Sequence, residues 1–168
     1  MSLIEARGFK PKIEEDVFVA EGARVIGDVH IGRGSSIWFN ATVRGDVMPI
    51  KIGQEVNIQD GSVLHGTYGL HACEVGDRAT IGHNVILHGC KIGSRCLIGM
   101  GSIVMDGAEI GDCSVVGAGS LVTEGKKFPP RHLIVGRPAV AKRPLTEDEL
   151  KFLEQSADNY LLYKTWYK

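Results

Sequence analysis

The sequence predicts an all-β fold, a parallel β-helix of about six triangular coils finished by one C-terminal α-helix. Three observations carry that reading. From Ile13 to Val122 an aliphatic residue returns with a six-residue rhythm, at Ile13, Val19, Val25, Ile31, Ile37, Val43, Ile52, Ile58, Leu64, Val75, Ile81, Leu87, Ile92, Ile98, Val104, Ile110, Val116 and Val122. All eighteen openers are Val, Ile or Leu, and eight are followed by Gly. A slim residue stands four places on in many units, as at Ala23, Ser35, Ala41, Ser62, Ala79, Ser102, Ala108 and Ser120. An amphipathic helix needs apolar residues every three or four positions, so a period of six with Gly-rich turns excludes it. Each opener points inward, each unit makes one flat side of a triangle, and three units close a coil. Coils stacked about 4.8 Å apart give a prism about 29 Å tall.

The chain divides into a β-helix over residues 1–125, an extended strap over 126–145 and a helix over 146–168, all within one domain. Pro129, Pro130, Pro138 and Pro144 keep the strap from becoming helical, because the residue before a proline is pushed toward extended backbone. Thr146 then offers an N-cap with Glu149 three residues later, and Leu150, Leu153, Ala157, Tyr160 and Leu161 share one helical face. That amphipathic helix, from Thr146 to about Lys164, is expected to pack on a side of the prism.

A chain of 168 residues with 43% hydrophobic content is long enough for a real core. Its net charge of −1, with Lys and Arg scattered, lacks the basic stripe that a nucleic-acid partner requires. No apolar run reaches the length of a signal-peptide core or a membrane span, so no membrane partner and a cytoplasmic address are expected. Cys73, Cys90, Cys96 and Cys113 show no paired metal spacing, and Cys96 takes the slim inward position of its unit as a small buried hydrophobe.

Function is expected where the rhythm breaks. Steps of nine residues from Val43 to Ile52, eleven from Leu64 to Val75 and five from Leu87 to Ile92 interrupt the sixes. A stacked repeat accommodates insertions as loops at a corner, and such loops tend to carry binding residues. Counting units past them puts Val43, Leu64 and Leu87 on one side of three successive coils. The residues that follow, Arg44, His65 and His88, then form an outward column. Rungs about 4.8 Å apart bring the two imidazoles within reach of one metal ion, at Zn–N distances of about 2.0–2.1 Å. His83, two places after Ile81, falls on the preceding side, directly above Asp60 of the coil below. A corner separates it from His88, so it is better placed to complete the pair of another subunit in a cyclic homotrimer. Three imidazoles without carboxylate ligands match a catalytic zinc site that keeps a fourth position for water. His30, His71 and His132 stand outside this pattern as surface or hydrogen-bonded residues.

Arg44-Gly45-Asp46, Asn57-Ile58-Gln59-Asp60, Leu64-His65, Ile81-Gly82-His83-Asn84 and Leu87-His88-Gly89-Cys90 closely resemble the signature segments of the gamma-class carbonic anhydrase family. The repeat itself resembles that of left-handed hexapeptide-repeat proteins, which implies a left-handed winding against the usual right-handed rule for parallel crossovers. By this resemblance His65, His83 and His88 are the metal ligands, with His83 donated across the trimer interface. Arg44 and Asp46 correspond to an interfacial ion pair beside the metal, and Gln59 to a residue that hydrogen-bonds the metal-bound solvent. Asp60 corresponds to an acidic neighbour that supports the site, and Tyr160 resembles a tyrosine that approaches it from the helix. The implied activity is reversible hydration of CO2 to bicarbonate. Zinc held by neutral imidazoles lowers the pKa of its bound water to about 7, so a metal-bound hydroxide is available to attack the carbon. Ferrous iron and cobalt are alternatives to zinc, since imidazole suits them too. Val47 stands where the well-studied branch of the family has a carboxylate, and the loop from Gly66 to Cys73 holds no acid. The likeness is therefore to a short-loop branch, for which slow regeneration is expected unless His71 relays protons.

Two further readings stand beside this one. The same prism serves many acyl transferases, so an acyl transferase or thioesterase acting on coenzyme A derivatives is one. The other is a non-catalytic scaffold subunit whose zinc holds a trimer together.

Overall fold

The computed structural model describes residues 2–167, and the expected parallel β-helix is what it contains. Stacked parallel strands pair in register along three faces. The first face carries the column Leu3, Val25, Val43, Leu64, Leu87, Val104 and Val122. The second carries Ile13, Ile31, Ile52, Val75, Ile92, Ile110 and Phe128. The third carries Val19, Ile37, Ile58, Ile81, Ile98, Val116 and Ile134. Every opener from Val25 to Val122 is buried, so one continuous apolar column fills the prism. The slim residues line its corners, and their hydroxyls stitch neighbouring coils. Ser35 Oγ donates to the Gly53 carbonyl at 2.9 Å and Ser62 Oγ to that of Gly82 at 2.7 Å. Cys96 sits among them as expected, and burial pushes its thiol up to about 12, so it stays protonated and unreactive.

Each face has seven rungs among the described residues, one more than the six coils expected. The extra coil is built from both ends. Leu3 pairs with Val25 ahead of the first opener. After Val122 the six-residue step continues to Phe128 and Ile134, inside the segment expected to be a strap. Prolines obscured that continuation, yet Pro129 and Pro130 fall after the strand Lys127–Phe128, at a corner where no ladder donor is needed. The solenoid therefore runs to Gly136, and the strand Ala139–Pro144 folds back antiparallel on His132–Gly136. That return strand covers the edge which the last coil would otherwise present to other chains.

The rhythm breaks also differ from expectation in one case. The nine-residue step is not a corner loop, because Thr42–Ile52 is one continuous strand that absorbs its extra residues as a register shift against Arg24–Ile31. The eleven-residue step does leave the prism, as a tight loop closed by a bridge between Thr67 and His71.

The C-terminal helix spans Glu147–Tyr163, followed by a short 3₁₀ turn at Lys164–Tyr167. Its capping box is formed: Thr146 Oγ1 accepts from Glu149 N at 3.2 Å, and Glu149 Oε2 accepts from Thr146 N at 2.8 Å. Leu153, Ser156 and Ala157 are buried against the prism. Arg78 clamps the helix from below, donating to Glu154 at 3.0 Å and Asp158 at 2.6 Å while also holding Glu55 of its own corner. Among the described residues no helix is long and apolar enough to cross a membrane.

Lys164 is the second anchor. Its ammonium is buried and donates to the Gly34 carbonyl at 2.7 Å, the Asp16 carbonyl at 2.8 Å and the Asp16 carboxylate at 2.9 Å. Lys164→Met keeps the stem and removes the donors, and hydrogen bonds from a charged group contribute about 1.5–3 kcal/mol. A loss of that size is expected in urea unfolding, read as a lower midpoint at unchanged slope.

Candidate metal centre

His65 and His88 end the strands Val63–His65 and Ile86–His88, which pair in parallel with the two histidines directly opposite each other. Leu64 and Leu87 point into the core, so alternation along a strand turns the next side chain outward. The rings meet as the spacing predicted, with His65 Nδ1 facing His88 Nε2 at 3.3 Å. Two nitrogens bound to one tetrahedral zinc at about 2.05 Å would stand about 3.3 Å apart, so this donor pair fits the ion. The far nitrogen of each ring lies against a carboxylate, an arrangement usual around metal-ligating histidines. His65 Nε2 is 3.0 Å from Asp46 Oδ1, and His88 Nδ1 is 2.7 Å from Asp106 Oδ1.

Arg44 belongs to the same cluster, donating from Nη1 to Asp46 Oδ2 at 2.7 Å. Burial raises the Asp46 carboxyl pKa, but hydrogen bonds from Arg44 and His65, with their charges, outweigh it and hold it below its ordinary value. Asp106 behaves alike: burial raises it, while hydrogen bonds from Thr67 and His88 bring it below its ordinary value. Both carboxylates are therefore ionised at neutral pH.

The remaining residues expected in the site gather elsewhere. His83 Nδ1 lies 2.9 Å from Asp60 Oδ2, one rung apart as the register required. The two line a cavity of about 210 Å³ with Trp38, Phe39, Tyr160, Tyr163, Trp166 and Tyr167. Tyr160 stacks edge-on against Trp38 at 5.4 Å, and burial together with the Asp60 charge pushes its phenol up to about 12. Gln59 is buried, and its amide Nε2 donates to Asn57 Oδ1 at 3.0 Å. One chain thus brings together Arg44, Asp46, His65 and His88 on one side, and Asp60, His83 and Tyr160 on another. Among the described residues no group of three His, Cys, Asp or Glu side chains converges to hold a metal ion.

Asp106 and Thr67 are the cluster residues that sequence reasoning missed, Thr67 Oγ1 donating to Asp106 Oδ2 at 2.5 Å. A signal was present. Asp106 lies two places after the opener Val104, one rung beyond Gly89, where the absent side chain leaves room to reach His88. His71, expected at the open surface, instead lies across Gly89 and Gly107 beside this carboxylate.

A hexapeptide β-helix with two imidazoles converging from adjacent rungs defines a class, and comparison with known proteins narrows it. A family model for the bacterial transferase hexapeptide (six repeats) matches residues 10–45 and 89–124. The chain is 46% identical over 162 residues to a carbonic anhydrase of Geobacillus kaustophilus, covering 96% of this chain and 88% of that one. It is 43% identical to the mitochondrial gamma carbonic anhydrase 1 of Arabidopsis thaliana, covering 89% of this chain but spanning only 56% of that relative's length. The crystal structure of a hexapeptide transferase family protein from Anaplasma phagocytophilum superposes with a TM-score of 0.93 at 42% identity, covering 99% of this chain and 98% of the other. The chain belongs to the gamma-class carbonic anhydrase family.

Proposed function

We propose that this protein is a metal-dependent carbonic anhydrase, interconverting CO2 and bicarbonate at the interfaces of a homotrimer. The observation that carries the proposal is the facing pair His65 Nδ1 and His88 Nε2, 3.3 Å apart on adjacent rungs. His83 of a second copy would complete the set, since within one chain it stands with Asp60 away from the pair. The surface beside the pair favours such a copy. Val63, Ile86, Ile103 and Leu121 stack outward in register on the same face, forming an apolar ladder of the kind that marks contact surfaces.

A zinc ion held there would supply a nucleophile at neutral pH by acidifying water. The chain's own groups do the rest. Asp46 fixes both Arg44 and His65, so the guanidinium stays beside the reacting centre and attracts the anionic product. Gln59 commits its amide nitrogen to Asn57, which leaves its oxygen end to accept a hydrogen bond and would let it orient water in the site. Tyr160 is an O–H donor at neutral pH, as any tyrosine is, and its burial beside Asp60 raises its phenol further, to about 12. Asp60 holds the Nδ1 side of His83, leaving Nε2 for a ligand.

Stopped-flow CO2 hydration on protein loaded separately with zinc and with ferrous iron tests this. Hydration above background with at least one metal, abolished by chelation while the trimer persists, is the expected result. A trimer that falls to monomers on chelation, with no hydration at any loading, would favour the scaffold reading. Hydrolysis or transfer of an acyl group from a coenzyme A thioester without metal would favour the acyl-group enzyme.

A further inference from the structure

We infer that Asp106 is the positioning residue of His88, and that Thr67 ties the loop 66–72 to that same ligand. This rests on the metal-centre reading above, and neither residue matches any signature segment of the family quoted above. The Asp106 carboxylate reaches back one rung, and both of its oxygens are engaged: Oδ1 with His88 Nδ1 at 2.7 Å and Oδ2 with Thr67 Oγ1 at 2.5 Å. A carboxylate held at both oxygens cannot swing away from the ring. The path exists because residue 89 is glycine. A Cβ there would lie 2.3 Å from Asp106 Oδ1 and 2.6 Å from His71 Cβ, and φ of +56° already favours Gly. Thr67 is equally fixed, since its amide donates to the His71 carbonyl while its carbonyl accepts from the amides of Leu70 and His71.

The consequence is a chosen tautomer. The hydrogen bond one ring nitrogen makes decides which nitrogen carries the proton, so Asp106 places it on Nδ1 of His88. The Nε2 lone pair is then free and aimed at the point shared with His65. An unconstrained imidazole prefers the opposite tautomer, which makes the choice measurable without metal. Tyr68 and Leu70, exposed at the loop tip, are thereby linked through Thr67 to the orientation of a ligand.

Two readouts test the inference on the full-length protein. One is the zinc dissociation constant by chelator competition, and the other is the His88 tautomer in metal-free protein by nitrogen-15 NMR. Asp106→Ala is expected to weaken zinc binding about 10–100-fold and to move the proton toward Nε2. Asp106→Asn keeps an acceptor and is expected to restore the Nδ1–H tautomer. Thr67→Val should shift both readouts in the same direction by less, and Thr67→Ser should restore them. Should Asp106→Ala fail to fold, the Thr67 pair decides alone. Zinc affinity within about twofold of wild type in Asp106→Ala, with an unchanged tautomer, would overturn the inference. A wild-type protein that binds none of zinc, ferrous iron and cobalt would instead sink the metal-centre reading, while the tautomer measurement would still judge Asp106.

Discussion

His88→Ala is expected to reduce CO2 hydration to the uncatalysed background while leaving the β-helix folded. The side chain is outward and partly exposed, whereas the packing of its strand is carried by Leu87, which is fully buried. Compared without metal, the variant should keep a cooperative unfolding transition and lose only the stability of the His88 contacts to Asp106 and His65. Metal retention should fall further than the about 10–100-fold typical for loss of an outer-shell partner, because a direct ligand is gone. Leu87→Ala makes the contrast. Deleting a buried leucine costs about 2–5 kcal/mol, so that variant should lose stability first and activity only as it unfolds. Metal content, stopped-flow hydration and thermal unfolding on the same samples separate the two. Hydration above background at the wild-type level in a folded His88→Ala protein would end the role of His88 as a metal ligand and leave the fold intact.

Mixing two inactive variants is expected to regenerate activity. His65→Ala destroys the paired half of the site, and His83→Ala destroys the half that stands with Asp60. In a cyclic trimer each interface takes one half from each of two neighbours. Random equimolar assembly then rebuilds about one interface in four, and about a quarter of wild-type hydration should return. Co-expression, or joint unfolding and refolding, provides the mixing, and each variant alone should stay silent. No recovery in mixed trimers that demonstrably form would mean that all ligands act within one chain.

The openers were legible because six residues make one flat side, so every inward position repeats at a fixed spacing that no helix or alternating strand imitates. The same arithmetic stacks His65 with its partner His88, and His83 with Asp60. It failed where local chemistry obscured the period. Prolines at 129 and 130 made residues 126–145 read as a strap, although a corner tolerates them and Phe128 and Ile134 keep the step of six. The nine-residue step read as a loop because sequence spacing cannot distinguish an excursion from a register shift inside a paired strand. Asp106 escaped for a different reason. Its role depends on an absence, the missing side chain of Gly89, together with a threonine 39 residues away in sequence. Spacing rules find side chains that stack in one column, whereas Asp106 reaches diagonally between columns.

Why Arg44, Asp46, His65 and His88 lie apart from Asp60 and His83 in one chain follows from the same geometry. A triangular coil points its three faces in three directions, so residues following Leu64 and Leu87 cannot share a cavity with those following Ile58 and Ile81. Packing prisms side by side is the simplest way to bring such faces together. The apolar ladder of Val63, Ile86, Ile103 and Leu121 beside the imidazole pair supplies a surface for it.

The most direct test is anomalous diffraction at the zinc edge from crystals of the zinc-loaded protein. The account requires one peak per subunit boundary, bonded to Nδ1 of His65 and Nε2 of His88 from one protomer and to His83 from the next. A peak bonded to the lone pair of histidines with no third imidazole, or one seated between His83 and Asp60 of a single chain, would contradict it.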